Sequence, residues 1–210
     1  MNVKCSNVID LNTFSTSDLL KDTYFYLDTN IWLWMTYAGS SIEAQQPMYA
    51  TFVSQINRIS NAHLLYSHLT FSEITSVIES MMWDNYKHES PNNRHVRKKA
   101  FRGIAVERQN VVAEIETSIN QISNIADPDD AFIEVLNYIE PNIFIQTLRN
   151  TLLDGTDILM AQMIKHNDVS NVVTDDKDFL GIDGINVFTF NQAAINEAKQ
   201  QGINTNFLAM

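Results

Sequence analysis

Cysteine is almost absent from this 210-residue chain: Cys5 stands alone. A single thiol excludes an intramolecular disulfide and makes a reducing, cytoplasmic setting the expectation. Nothing around Cys5 marks it as a nucleophile. Glycine is scarce at six residues, and no glycine-rich loop able to cradle a phosphate is present. A G-x-S-x-G elbow for serine hydrolysis is also missing. No apolar run approaches the ~18 residues of a membrane span. The opening "MNVKCSNVIDLNTF" lacks the basic-then-apolar pattern of an export signal, so no membrane association is expected. Positive charge is in short supply, with 14 Lys and Arg against 25 Asp and Glu, a net charge of −11. That balance argues against a broadly basic nucleic-acid surface. The histidines His63, His68, His88, His95 and His166 show no metal-ligand spacing. Internal repeats, low-complexity tracts and Gly/Ser linkers are lacking too.

What remains fits one domain with an ordinary apolar content of 45 %. "TYFYLDTN" (23–30) is an apolar run ending abruptly in Asp-Thr-Asn, the pattern of a buried strand and a turn. A helix is predicted from about 43 to 60, with Tyr49, Phe52, Val53, Ile56 and Ile59 on one stripe. "AHLLYS" (62–67) reads as a strand and "LTFSEITSVIESMMW" (69–83) as a helix. The segment from 91 to 125 has a helical pattern through Ile104, Val111, Ile115, Ile119 and Ile122. A further helix over 126–140 is predicted, with Asp127 as N-cap and Pro128 in the first turn. "NIFIQT" (142–147) reads as a short strand. Then come a helix at 157–167, strands at 171–174 and 185–190, and a closing helix at 192–200. The tryptophans and methionines of "NIWLWM" and "MMW" are assigned to the core. Strands alternating with helices imply an α/β fold whose mostly parallel sheet is covered on both faces. In such sheets ligands bind beyond the carboxyl ends of the strands.

Several carboxylates fall at those ends. Asp28 directly follows "YFYL" and is either a helix-capping turn residue or a ligand anchored on a central strand. Asn30 and Thr29 could cap in its place. Glu73 completes Thr70-x-x-Glu73, a capping-box pattern, yet also points toward the strand ends. Asp157 opens a helix, where acidic residues are favoured in any case, and Asp154 competes as its cap. In "VVTDDKDF" (172–179), Asp175, Asp176 and Asp178 follow a strand, with Lys177 compensating one charge. An extended chain would put Asp176 and Asp178 on one side and Asp175 on the other. Carboxylates gathered this closely raise one another's pKa. A divalent cation resolves that conflict, and oxygen-only ligands favour Mg²⁺ or Mn²⁺ over zinc. Metals held this way suit phosphodiester hydrolysis.

With these motifs in place the chain resembles the PIN-domain nucleases. The resemblance is carried by "FYLDTNIW", Glu73 in "LTFSEI", "DGTDILMAQM", and "VVTDDKDF" with Thr174, Asp176, Asp178 and Phe179 in the family's Thr-x-Asp-x-Asp-Phe positions. It covers roughly residues 23–83 and 150–190. It implies a doubly wound α/β/α domain and Mg²⁺- or Mn²⁺-dependent endoribonuclease activity. It also implies acidic ligands at Asp28, Glu73, Asp157 and Asp176, a supporting Asp178, and Asn30 and Thr174 near the substrate. Many bacterial members are VapC-type toxins held by an antitoxin partner and often dimeric. This chain differs from those compact toxins by a helical insertion at about 84–145.

The scarce positive charge is concentrated. Lys87, Arg94, Arg97, Lys98, Lys99, Arg102 and Arg108 are seven of the fourteen Lys and Arg, all within 22 residues. "NNRHVRKKAFRG" (92–103) has the composition of a phosphate-contacting helix, and equally that of a solvated helix face. On the first reading Arg94, Arg97, Lys98, Lys99 and Arg102 bind RNA. The 104–122 stripe is open to burial against a second subunit or an antitoxin helix. A DNA nuclease on the same scaffold and a non-catalytic RNA- or protein-binding module are the rival readings.

Overall fold

The computed structural model describes residues 2–19, 22–40, 44–129, 140–166 and 169–205. Its strands are β1 (Asn7–Asp10), β2 (Thr23–Leu27), β3 (Ala62–Tyr66), β4 (Asp127–Pro128), β5 (Asn171–Val173) and β6 (Asn186–Thr189). All the described pairings are parallel, in the order β1-β6-β5-β2-β3-β4. The helices are α1 (Thr29–Thr36), α2 (Gln46–Ile56), α3 (His68–Glu89), α4 (Lys98–Phe101), α5 (Ala105–Ile125), α6 (Pro141–Asn150), α7 (Gly155–His166) and α8 (Gln192–Gln200).

The period-2 geometry of β2 explains why its sequence is apolar on both sides. Phe25 and Leu27 face one core, with Ile9, Val173, Phe188 and residues of α1, α2 and α3. Tyr26 faces the other, with Val8, Val172, Val187 and residues of α7 and α8. A strand covered twice cannot alternate apolar with polar residues. The fold is therefore a doubly wound α/β/α sandwich. From β2 the chain winds outward through β3 to β4, then returns to the other side of β2 for β5 and β6. The winding reverses between β2 and β5, so the crevice at this switch point opens beside the ends of those two strands. Among the described residues no helix is long and apolar enough to cross a membrane.

Three local expectations are corrected. "NIFIQT" belongs to α6, because Pro141 occupies a first-turn position where its missing N–H costs nothing. Asp127 and Pro128 form β4 instead of starting a helix, pairing with Leu65 and Tyr66 at the sheet edge, where a proline is tolerated. The rest of that predicted helix, 130–139, lies outside the described residues. The basic stretch 92–103 is helical only over the four residues of α4.

The 104–122 stripe packs within the chain. Val111, Ser118 and Ile122 of α5 are buried, and Ser118 Oγ donates to the Thr36 carbonyl of α1 at 3.3 Å. Glu79 of α3, only 4 % exposed, meets cations of α4, α5 and the turn between them. Arg102 meets it through Nε to Oε1 at 2.6 Å and Nη2 to Oε2 at 2.5 Å. Arg108 and Lys98 approach the same carboxylate at 3.4 and 3.5 Å. The Arg102 hydrogen bonds hold Glu79 below the usual carboxylate range. Glu79→Gln removes a buried acceptor's charge from three cations. It should lower unfolding free energy by about 1–3 kcal/mol in urea titrations; an unmoved midpoint would show that the cluster is electrostatically idle.

Candidate functional site

The backbone places Asp28 before its side chain does anything. Its N–H donates to the Val173 carbonyl at 3.0 Å, which continues the β2–β5 ladder one residue past Leu27. Asp28 occupies the N-cap position of α1, yet its side chain makes no capping hydrogen bond. Instead Oδ2 accepts from Thr174 Oγ at 2.7 Å, a hydroxyl held at the equivalent point beyond β5. Both residues are buried, Asp28 to 4 % and Thr174 to 0 % exposure. Thr174 thus acts through Asp28 by orienting its carboxylate. Asn30, two residues on, is exposed.

Glu73 reaches the same edge from α3. The capping box of α3 is formed by Ser67 and Thr70, not by Thr70 and Glu73. The helix begins at His68, which makes Ser67 the N-cap and Thr70 the third residue, so Glu73 is released from capping. Its Oε2 accepts from Thr29 Oγ at 2.6 Å, which ties α3 to the start of α1.

Asp154 and Asp157 divide their roles. Asp154 Oδ1 accepts from the N–H groups of Thr156 and Asp157 at 2.7 and 3.0 Å, the bonds of an N-cap. Asp157 Oδ2 returns a bond from Asp154 N at 3.3 Å. Asp157 is the half-buried member and is acted on by Asp28 and Glu73, while the exposed Asp154 also acts on Glu73.

The segment after β5 does not stay extended. Asp176 caps a 3-10 turn, Lys177–Gly181, and its Oδ1 accepts from Asp178 N at 2.8 Å. Asp176 and Asp178 are therefore neighbours around a turn, not alternate residues on one side of a strand. Asp176 acts on Asp28, whereas Asp178 is coupled to Asp176. Asp175 turns back toward the core, where its Oδ1 lies 2.9 Å from the Tyr49 hydroxyl.

The electrostatics are those of crowded anions. Burial first, then Glu73 and Asp176, push Asp28 up to about 7, against the lowering effect of the Thr174 hydroxyl and Thr29 N–H. Burial, Asp154 and Asp28 push Asp157 up to about 7 as well. Glu73 rises by burial and by the charge of Asp154, against the Thr29 hydroxyl. Asp178 rises by burial and Asp176, with Lys177 opposing. The groups acting on Asp28, Glu73 and Asp157 are carboxylates, hydroxyls and amides, with no lysine or arginine among them.

The basic stretch packs on α3, where Lys98 Nζ donates to Ser80 Oγ at 2.6 Å. Lys98 and Arg102 are engaged with Glu79, while Arg94, Arg97 and Lys99 are exposed. Trp83 Nε1 donates to the Val96 carbonyl at 2.9 Å and pins that segment to α3.

Tyr49 is the residue the sequence pattern hid, because it sits in the apolar stripe of α2. Its hydroxyl accepts from Phe190 N at 3.0 Å. It has one proton to offer to the Thr174 carbonyl at 3.0 Å or Asp175 at 2.9 Å, with Thr189 Oγ also within 3.0 Å. Tyr49 therefore fixes the loop that presents Asp176. The available signal was chemical: a tyrosine in a buried stripe requires a hydrogen-bond partner.

No family model matches the chain, and no curated protein matches it. Among solved structures it is similar to a chain of the crystal structure of VapBC2 from Rickettsia felis bound to a DNA fragment from their promoter. The TM-score is 0.48 and the identity 11 %, over 80 % of this chain and 98 % of that chain.

Proposed function

We propose that the protein is a divalent-metal-dependent nuclease that hydrolyses RNA phosphodiester bonds internally. The observation that carries this reading is Asp28: buried at the switch point, free of capping duty, and faced by Glu73, Asp157 and Asp176 without a basic residue among them. A buried anion cluster of this kind is costly unless a cation completes it.

The donors fit a hard cation such as Mg²⁺ or Mn²⁺, since every candidate atom is a carboxylate oxygen. Among the described residues no three His, Cys, Asp or Glu side chains already form a metal-binding group. The carboxylates are held by neighbours instead: Asp28 by Thr174, Glu73 by Thr29, and Asp157 by the Asp154 N–H. Asp28, Glu73, Asp157 and Asp176 are the residues that would hold the ion. When bound, such an ion lowers the pKa of water and neutralises charge on the leaving oxygen. Thr174 and Thr29 keep Asp28 and Glu73 in fixed orientation, and Asp178 steadies Asp176 through its backbone N–H. The preference for RNA, an antitoxin-type protein partner, a homodimer and a cytoplasmic setting rest on the PIN resemblance of the motifs. So does a single domain carrying a helical insertion at about 84–145.

Matched single-stranded RNA and DNA oligonucleotides, incubated with Mn²⁺, with Mg²⁺ and with chelator, test the proposal. Internal cleavage of RNA with metal, none with chelator and none of DNA is the expected pattern. Cleavage of DNA alone would move the assignment to a DNA nuclease. Binding without any cleavage would make the chain a non-catalytic module.

A further inference from the structure

An acidic catalytic edge repels the phosphates it has to receive, and the basic stretch of 94–102 has spent Lys98 and Arg102 on Glu79. A different surface carries further positive charge, at Lys4, Arg149 and Lys177. A cleft of about 640 Å³ is lined by Asn2, Lys4, Arg149, Asn150, Thr151 and Lys177, among others, with no carboxylate in its lining. In a chain of net charge −11 such a lining is unusual. Lys4, Arg149 and Lys177 are all exposed. Among the described residues Lys4 and Arg149 form no ion pair.

Two chain segments connect the lining of the cleft to residues of the candidate site. Lys177 stands between Asp176 and Asp178, at the head of the 3-10 turn. Arg149, Asn150 and Thr151 end α6 and lead through buried Leu153 to Asp154, the cap of α7. Lys4 is fixed beside the same turn, its backbone N–H donating to the Leu180 carbonyl at 2.8 Å. Three cations therefore line one cleft together with Asn2, Asn150 and Thr151, and two of the three lie within a few residues of site carboxylates in the chain.

We propose that this cleft is the track for the phosphodiester backbone of a single-stranded RNA substrate, with Lys4, Arg149 and Lys177 contacting successive phosphates. The proposal rests on the nuclease reading for its substrate, but its test does not require cleavage. The lining contains no aromatic side chain on which a base could stack. Binding here is thus dominated by backbone charge, tolerant of sequence and steeply salt-dependent.

The test is fluorescence anisotropy with a labelled single-stranded RNA 12-mer, in chelator, on the full chain across a salt series. A Lys4→Glu/Arg149→Glu/Lys177→Glu variant is compared with Arg94→Glu/Arg97→Glu/Lys99→Glu. The cleft variant is expected to weaken binding by about 30-fold or more and flatten the log–log salt slope by about 2, three phosphate contacts at about 0.7 each. The other variant should change affinity by less than about threefold. If circular dichroism shows the reversal variant misfolded, the Gln triple at the same positions is read instead, with a loss of about tenfold expected. Unchanged affinity in the folded cleft variant, a loss confined to the Arg94/Arg97/Lys99 variant, or no RNA binding by the native protein overturns the proposal. Cleft-dependent binding in a protein that never cleaves leaves the track standing and removes the nuclease reading.

Discussion

Asp28→Asn is expected to lower metal-dependent RNA cleavage by about 10³-fold, roughly 4 kcal/mol of barrier, while the fold survives. The substitution is nearly isosteric, and the amide oxygen still accepts from Thr174 Oγ, which now lies 2.7 Å from Oδ2. The backbone bond to Val173 is untouched. What disappears is one full negative charge at the most buried point of the carboxylate centre, and with it one of the ligands that the proposed mechanism assigns to the divalent ion. Single-turnover cleavage at saturating Mn²⁺ measures the effect, and Mn²⁺ titration of the uncut complex separates lost metal affinity from lost chemistry. Cleavage that persists in Asp28→Asn and in chelator would defeat the metal mechanism outright. Thr174→Val tests the positioning role separately: it should reduce the rate less and weaken Mn²⁺ affinity, because the carboxylate remains but loses its orienting hydroxyl.

The second large effect is on stability, and its sign follows from the direction of the shifts. The folded pKa of Asp28 is raised from 3.8 to about 7. Below pH 4 the carboxyl is protonated in both states and costs nothing. Between pH 4 and 7 the native state retains a proton that the unfolded chain has released, so stability falls as pH rises. Above pH 7 the penalty is complete, on the order of 4 kcal/mol for Asp28. Asp157 shifts in the same direction to about 7, through burial and the charges of Asp154 and Asp28. Glu79, whose pKa is lowered, contributes in the opposite sense and below this window. Urea unfolding in chelator should therefore show stability declining from pH 5 to pH 8. Asp28→Asn should flatten most of that slope and exceed the native protein by several kcal/mol at pH 8. Mn²⁺ should restore the native protein through linkage. A chelated native protein equally stable at pH 5 and pH 8 would show that these carboxylates are not held against their own repulsion.

Both expectations draw on residues visible in the amino-acid sequence. The run "YFYL" is apolar at consecutive positions because β2 is covered on both faces, so its place in the sheet centre was legible. The closing helix at 192–200 was equally legible, and the structure adds Asn191 as its cap. The list of carboxylates at strand ends needed only the rule for where parallel sheets bind. Their division of labour needed more. Which of Asp154 and Asp157 caps α7, and whether Thr70 or Ser67 frees Glu73, depends on the residue at which a helix starts. A shift of one position rotates every side chain by about 100°, and that start is set by packing against the sheet.

The same holds for contacts between distant residues. Thr174 orients Asp28 from 146 positions away, Tyr49 holds the loop before Asp176, and Glu79 gathers cations that composition alone would give to RNA. Periodicity and composition report what a residue does to its own helix or strand. By themselves they pointed to a mostly parallel sheet covered on both faces and to a set of acidic candidates at its edge. Which charges are spent on the fold and which remain for a ligand was decided only when the chain closed on itself. A charge is neutralised by whatever lies within a few ångströms, and that neighbour is a property of three-dimensional packing.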